Sequence, residues 1–226
     1  MDQLRAARQS RGWTQVEAAA RLGVSQPYLA MLEAGQRPLT PAVARRAMRV
    51  YRLSPVVLRP VGVPARVTGD TLARDLAALG YPGFTHVAPR GSVRKAPAAV
   101  LLAALAQPEL DARVVEALPW LLLRYWDLDP AWLVREAKLR DLQNRLGFVV
   151  SLAREVAERE GDPRRLAALR ALEVALEPSR LAREDTLGRA GLAEAERRWL
   201  TAHRSEAARH WNLLTDWTAE ALRYRG

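Results

Sequence analysis

The chain has 226 residues, enough for two domains, and its hydrophobic share of 49% is that of a folded globular protein. Because it contains no cysteine, disulfides, iron–sulfur clusters and thiolate zinc sites are excluded. The first residues form a charged amphipathic segment rather than a signal peptide, and no run approaches the roughly 18 apolar residues of a membrane span. We therefore expect a soluble cytoplasmic protein that does not bind a membrane.

The net charge of +10 is concentrated at the front of the chain. Residues 1–66 contain 11 Lys or Arg and 3 Asp or Glu, whereas residues 96–226 contain 20 of each kind. Arginine supplies 33 of the 35 basic residues, which the base composition of a GC-rich genome explains. That bias does not explain why acidic residues are scarce only at the front, so we expect this segment to contact phosphates.

The first 58 residues carry the start and stop signals of a five-helix domain. Thr14 and Glu17 have the spacing of a capping box, Gly23 allows a left-handed turn, and Ser25 is a favoured helix cap. On the second helix, the apolar residues at helical spacing are Val16, Ala19, Ala20 and Leu22. The predicted helices are about 2–11, 15–22, 26–34, 41–51 and 55–58.

Prolines and glycines separate this front domain, residues 1–60, from a helical remainder. Residues 61–96 are predicted to form a linker with a short helix over 70–79. Residues 97–226 are predicted to form a helical domain for dimerisation and for binding a partner or ligand. Its predicted helices are 97–106, 110–126 with a break or kink at Pro119, 130–159, 163–176 and two more between 192 and 222. The predicted fold class is all-α.

An ordered set of motifs runs through the front domain, namely Arg8, Gly12-Trp13-Thr14-Gln15, Gly23-Val24-Ser25-Gln26 and Leu32-Glu33-x-Gly35. At these spacings, residues 4–58 resemble the helix-turn-helix family of the phage lambda and 434 repressors and Cro proteins, also called XRE-like. The resemblance implies a lambda-repressor-like domain whose third helix enters the DNA major groove. It also implies a sequence-specific transcriptional regulator, typically a repressor, that binds a palindromic operator as a homodimer. A module that binds only protein, or an inactive remnant, is the alternative.

The same resemblance assigns roles to individual residues. Gln26 matches the family's base-reading glutamine, whose amide can pair with adenine N6 and N7. The apolar Pro27 and Met31 stand where relatives often place polar base contacts, so they are expected to touch thymine methyl groups. The residues expected to contact phosphates are Gln15, Ser25, Tyr28 and Arg37. Arg8 and Glu33 match a family ion pair with a structural role.

Six of the seven tryptophans lie beyond Val115. The helix that follows them carries an apolar stripe at spacings of three and four, made of Leu139, Leu142, Leu146, Val149, Ala153 and Val156. A buried core helix is the favoured interpretation of the stripe, and an exposed interface is the alternative. The residues predicted for a partner or dimer interface are Trp120, Trp126, Trp132, Leu142, Leu146 and Val149.

Residues 111–153 are similar to regulators encoded beside nucleotidyltransferase-like toxins, above all at Leu118-Pro119-Trp120, Trp132-Leu133 and 142–149. That resemblance implies an autoregulating antitoxin that represses its own operon and binds a toxin protein through this domain. A sensor whose helices enclose a small ligand or a peptide is the alternative, since the aromatic-rich segment 118–132 can also line a pocket.

Catalytic signals are weak. His203, Glu206 and His210 recur at helical spacing but lack the His-Glu-x-x-His zinc signature. A Ser–Lys dyad has only Lys95 and Lys138 to draw on, and the scattered carboxylates Asp127, Asp129, Glu184 and Asp185 are more plausibly caps. We therefore expect no enzymatic activity, no catalytic residue, no metal and no cofactor. An enzyme with a DNA-targeting front domain is the remaining alternative.

Overall fold

The computed structural model describes residues 2–57, 66–87 and 94–224, and the chain divides into two compact units, Met1–Val61 and Gly62–Gly226. The architecture is all-α, as predicted, except for two short strands that pair in parallel, β1 (Asp185–Thr186) and β2 (Leu213–Leu214). Within the described ranges, no helix is both long and apolar enough to cross a membrane. The predicted helix end at Leu58 and parts of the predicted linker, 61–65 and 88–93, lie outside the described residues.

Among its described residues, the first unit forms four α-helices and a final 3-10 turn over Pro55–Val57. In chain order the helices are α1 (Asp2–Gln9), α2 (Gln15–Leu22), α3 (Gln26–Glu33) and α4 (Pro41–Tyr51). Their inner sides bury a common core that includes Leu4, Ala18, Ala19, Leu22, Leu29, Leu32, Ala47 and Tyr51. Of the four apolar residues at helical spacing in α2, Ala19 and Leu22 are buried, whereas Ala20 is exposed and Val16 is 67% exposed. The helix turns Ala18 to the core as well.

The second unit is larger, and its described residues form eight α-helices. They are α5 (Gly69–Leu79), α6 (Pro97–Leu105), α7 (Ala112–Arg124), α8 (Pro130–Lys138), α9 (Gln143–Glu160), α10 (Pro163–Leu176), α11 (Glu194–His203) and α12 (Glu206–His210). Three 3-10 turns accompany them over Pro82–Val87, Glu177–Ser179 and Ala219–Ala221. Helix α9 is central, since α6, α7, α8, α10 and α12 all pack against it.

Three predictions for the second unit are wrong in detail. The predicted helix 130–159 is two helices, α8 and α9. Between them, Asp141 adopts a left-handed backbone conformation at φ 56°, which ends the series of helical hydrogen bonds. Helix α7 continues through Pro119 without the predicted break, although Pro119 lacks an N–H, and the residues around Pro119 are buried. The two helices predicted near the end of the chain are present as α11 and α12, but the second ends at His210, and strand β2 follows after Asn212 turns the backbone at φ 52°.

Residues 66–87 contribute to the second unit. Helix α5 packs against α6 and α7, and its Leu72 and Leu76 side chains are fully buried. The prediction for this segment is a linker with a short helix. The helix is present, and its apolar side forms part of the core.

Candidate DNA-binding interface

Helices α2 and α3 begin at well-formed caps. The Glu17 backbone N–H donates to Thr14 Oγ1 over 3.2 Å, and the Thr14 backbone N–H donates to Glu17 Oε2 over 2.8 Å. These two bonds form the capping box that the sequence predicted. At α3, the Tyr28 backbone N–H donates to Ser25 Oγ over 3.3 Å. Both helices therefore start at defined residues, which fixes Gln15 and Gln26 as their first residues.

The turn between the two helices depends on Gly23. Its backbone is left-handed at φ 62°, a conformation that costs other residues energy. A Cβ atom at this position would also collide with the guanidinium group of Arg46. Arg46 Nη1 occupies that space because it donates to the Leu22 carbonyl at the end of α2 over 2.6 Å. Glycine is thus favoured here by the backbone angle, and a larger residue would also displace the Arg46 guanidinium group from the Leu22 carbonyl.

Behind α3, Arg8 and Glu33 form the ion pair that the resemblance implied. Arg8 Nε lies 2.7 Å from Glu33 Oε1 and Nη2 lies 3.0 Å from Oε2, while Nη1 donates to the Trp13 carbonyl over 3.0 Å. The pair is nearly buried, with side-chain exposures of 13% and 3%. It joins α1 to α3 through a two-point contact that has a fixed geometry.

The ion pair extends to the surface through two glutamines. Gln15 Nε2 donates to Glu33 Oε2 over 3.1 Å, and Gln26 Nε2 donates to Gln15 Oε1 over 2.8 Å. Arg8, Glu33, Gln15 and Gln26 thus form one continuous hydrogen-bonded chain, here called the polar relay. It starts near the core and ends at the exposed side chain of Gln26.

The charge on Glu33 is stabilised in this setting. Burial alone would raise the pKa of Glu33, but the hydrogen bonds from Arg8 and Gln15 and the charge of Arg8 outweigh it, so the pKa lies below its ordinary value. The same hydrogen bond raises the pKa of Arg8. Both groups are therefore ionised at neutral pH.

The other predicted DNA contacts lie on or beside α3. Ser25, Pro27 and Arg37 are exposed, whereas Tyr28 and Met31 are half-buried. Tyr28 packs part of its ring against the core of the first unit. Gln15, Ser25 and Gln26 meet at the adjoining starts of α2 and α3, and Met31 follows about one turn further along α3. Arg37 follows the end of α3 in the chain.

Arginines dominate the charged residues on the exposed surface of the first unit, as the charge count predicted. The exposed arginines of its described residues are Arg5, Arg21, Arg37, Arg45, Arg46, Arg49 and Arg52. Of the acidic side chains, Glu17 is engaged in the α2 cap and Glu33 in the ion pair. This distribution leaves a surface that attracts phosphates.

Trp13 has a role that sequence reasoning did not find. The Arg21 guanidinium carbon lies 4.2 Å from the centre of its indole ring, and that of Arg11 lies 5.8 Å away. The Tyr51 ring lies 5.7 Å from it, and Arg11 Nη2 donates to the Tyr51 carbonyl over 2.6 Å. These contacts tie α2 and α4 to the turn that carries Trp13. Arg11 and Arg21 lie one and two residues before Gly12 and Gly23, a pattern too common to be informative.

The second unit places most of the predicted interface residues inside its own core. Trp120, Leu142, Leu146 and Val149 are all buried, so they do not form a contact surface in this conformation. Trp126 is 38% exposed and Trp132 is half-buried. Leu139, assigned to the same apolar stripe, is 72% exposed because the stripe is interrupted between α8 and α9. The favoured interpretation of the rest of the stripe, a core helix, matches this burial.

Polar residues in α9 hold the second unit together. Arg145 makes two bonds to Asp185, Nε to Oδ2 at 2.7 Å and Nη2 to Oδ1 at 2.8 Å, and Nη1 donates to the Leu105 carbonyl over 2.8 Å. Asn144 exchanges two hydrogen bonds of 2.8 Å with the backbone of Leu181. Burial would raise the pKa of Asp185, but its bonds to Arg145 outweigh it and lower that pKa. These contacts link α9 to segments that are distant in the chain, and a single sequence does not reveal such pairings.

The candidate metal and catalytic residues of the second unit do not converge. His210 Nε2 lies 2.7 Å from Glu177 Oε2, and His203 Nδ1 lies 2.7 Å from the Trp199 carbonyl. Asp129 caps α8 by accepting a bond from the Trp132 N–H at 3.1 Å. Within residues 2–57, 66–87 and 94–224, no group of three or more His, Asp or Glu side chains is arranged to hold a metal ion.

Two capped helices joined by a glycine turn, with an exposed amide at the start of the second helix, form a helix-turn-helix unit of the kind that binds DNA. Residues 4–58 match the family model described as Helix-turn-helix. They form an XRE-like helix-turn-helix domain, and this family consists of DNA-binding transcriptional regulators rather than enzymes. No significant match to a curated protein or to a solved structure was found.

Proposed function

We propose that this protein is a sequence-specific transcriptional repressor that binds a palindromic operator as a homodimer, with α3 of each copy in the major groove. The observation that carries the proposal is the exposed amide of Gln26, which begins α3 and is held by Gln15 over 2.8 Å. A side chain fixed before binding loses less entropy when it pairs with a base. Such an arrangement suits direct readout of a base edge.

Each predicted contact has a distinct role in this proposal. Gln26 pairs with a base edge, while Pro27 and Met31 present apolar surface to thymine methyl groups. Gln15 and Ser25 lie at helix starts, where backbone N–H groups and the helix dipole favour a phosphate. Tyr28 and Arg37 contact phosphates on either side and fix the position of α3 without reading sequence.

Dimerisation is proposed because one recognition helix contacts only a few base pairs. The second unit is the part of the chain to which we assign it. Trp126 and Trp132, both partly accessible, support that assignment, since tryptophan is enriched at the energetically important centres of interfaces. The buried members of the predicted set support the fold of the unit instead.

A toxin partner is proposed only on the resemblance of residues 111–153 to antitoxins. Most residues that carry this resemblance are buried, including Leu118, Trp120 and Leu146. In an antitoxin they would therefore shape the domain, and a toxin would contact its exposed side chains. Co-expression with the protein encoded by the adjacent gene tests this point, because a toxin should copurify with the full chain and lose its toxicity.

Selection from random DNA tests the proposal as a whole. The full chain is incubated with a pool of randomised duplexes at 150 mM salt, and the bound duplexes are sequenced. We expect an inverted repeat whose half-sites are centred about 10 base pairs or a multiple apart, as for two-fold helix-turn-helix dimers. Recovery of no enriched sequence, or of a single non-repeated half-site, would contradict the proposal.

A further inference from the structure

We propose that Glu33 is a positioning residue that makes Gln26 select adenine over guanine, acting through the amide of Gln15. The inference rests on the proposed function, because it requires Gln26 to face a base edge. It follows from the donor and acceptor chemistry of the polar relay. The resemblance gave Glu33 only the structural role of holding α1 to α3.

The first step concerns the contact between Glu33 and Gln15. An ionised carboxylate accepts hydrogen bonds and has no hydrogen to donate. Glu33 is held in this form by Arg8, whose guanidinium group engages both carboxylate oxygens at 2.7 and 3.0 Å. The group of Gln15 that faces Glu33 over 3.1 Å must therefore be its NH2 group. The charge on Glu33 thus decides which way round the Gln15 amide lies.

The second step passes this orientation to Gln26. Because the amide of Gln15 is planar, turning its NH2 group to Glu33 directs its oxygen to the other side. That oxygen lies 2.8 Å from the amide of Gln26. An amide oxygen only accepts, so the facing group of Gln26 must also be NH2. The orientations of both amides are therefore set by the one carboxylate.

The third step concerns what remains available to a base. The NH2 group of Gln26 has two hydrogens, and one is donated to Gln15. Gln26 therefore offers one N–H donor and one oxygen acceptor at its exposed end. Adenine presents an acceptor at N7 and a donor at N6, which this pair satisfies. Guanine presents acceptors at both N7 and O6, so one of these two atoms would face the Gln26 oxygen with no hydrogen between them.

A glutamine outside the relay lacks this restriction. With both hydrogens free, it can donate to N7 and O6 of guanine, and with its oxygen turned inward it can pair with adenine. Severing the relay should therefore raise the affinity for guanine relative to adenine. If Glu33 served only to hold α1 against α3, its replacement would weaken binding to both sequences equally.

Affinities for paired duplexes test the inference. The duplexes carry the selected site and differ only in an A·T or G·C pair at the position whose preference disappears in Gln26→Ala. For the full chain we expect a preference for A·T of about tenfold or more. In Glu33→Gln and in Gln15→Met we expect the ratio of the two affinities to fall to about threefold or less, because the affinity for the G·C duplex rises relative to that for the A·T duplex. Gln15→Met also loses a phosphate contact, which lowers affinity for both duplexes alike and leaves their ratio unaffected.

The variants separate the outcomes. Gln15→Met leaves the contact between Arg8 and Glu33 in place. If Glu33→Gln fails to fold, Gln15→Met therefore still tests whether the polar relay sets the base preference of Gln26. An unchanged ratio in folded Glu33→Gln overturns the role of Glu33, as does an unchanged ratio in Gln15→Met. If Gln26→Ala alters the preference at no position, the proposed function fails instead. If it does alter one, the base-reading assignment stands whatever the relay variants show.

Discussion

Gln26 and Gln15, the first residues of α3 and α2, are joined by a 2.8 Å hydrogen bond between their side-chain amides. The bond connects the proposed base-reading residue to a residue expected to contact phosphate. Behind it, Glu33 and Arg8 continue the same chain into the domain. The fold of the domain and the orientation of the Gln26 side chain are therefore coupled.

Phosphate contacts by Arg37 are expected to show in the salt dependence of binding. Replacing Arg37 with Ala removes one exposed positive charge next to α3, so fewer counterions are released on binding. The slope of log affinity against log salt concentration should fall by about one, with similar loss on all DNA sequences. Arg164→Ala, an exposed arginine of the second unit, is the control. A slope that stays the same in Arg37→Ala would exclude a phosphate contact.

Gly147 is predicted to be essential for packing in the second unit. A Cβ atom there would lie 2.5 Å from the indole ring of Trp211, which is fully buried. Although alanine favours helix formation, Gly147→Ala should lower the free energy of unfolding by about 1–3 kcal/mol, because the core is overpacked. Urea unfolding followed by tryptophan fluorescence measures this change.

Gly69→Ala is the matched control for that experiment. Gly69 lies at the start of α5, and a Cβ there would meet no atom within 4 Å. The substitution should leave the free energy of unfolding unchanged or raise it slightly. Equal effects of Gly69→Ala and Gly147→Ala would show that Trp211 does not restrict the size of residue 147.

The ion pair of Asp185 with Arg145 should give a pH-dependent contribution to stability. Asp185 has a lowered pKa in the folded protein, so its contribution is present above the ordinary pKa of about 3.9 and is lost as pH falls through the lower folded value. At pH 7, Asp185→Asn should lower the free energy of unfolding by about 1–3 kcal/mol.

The difference between the wild-type chain and Asp185→Asn should shrink as the pH approaches 3 and below, since a protonated aspartate resembles asparagine. Urea midpoints measured between pH 7 and pH 2.5 provide the comparison. The exposed Asp216, replaced in the same way, is the control. A difference that is constant across this range would mean that the charge of Asp185 does not stabilise the fold.

Self-association is expected to depend on the second unit. Residues 1–61 form a compact unit with its own core, so this piece should fold alone and remain monomeric. The full chain should be a dimer, as the proposed palindromic operator requires. Sedimentation of both proteins at matched concentrations measures this. A dimer formed by the short piece would move the proposed interface to the first unit.

Much of the first unit could be predicted from the sequence because its signals are local. The capping box at Thr14 and the turn at Gly23 each need only a few neighbouring residues. The ion pair of Arg8 and Glu33 was available only through the family resemblance. The hydrogen bond from Gln15 to Glu33 was not found, because it depends on how two helices meet.

The second unit was harder to predict because its features depend on tertiary contacts. Pro119 breaks isolated helices, yet buried neighbours preserve α7 around it. Asp141 interrupts a strong helical pattern by adopting a conformation more typical of glycine. An apolar stripe predicts burial without stating what covers it, so Leu146 and Val149 fitted a partner surface as well as a core.

The most direct test of base reading by α3 compares Gln26→Ala with the full chain on the selected duplex and on an unrelated duplex of equal length. The control is Gln9→Ala, which changes an exposed glutamine of α1. We expect Gln26→Ala to lose about 1–3 kcal/mol of binding free energy per half-site on the selected duplex. Its affinity for unrelated DNA and its thermal unfolding should stay as in the control. Full affinity for the selected duplex in Gln26→Ala would contradict the account.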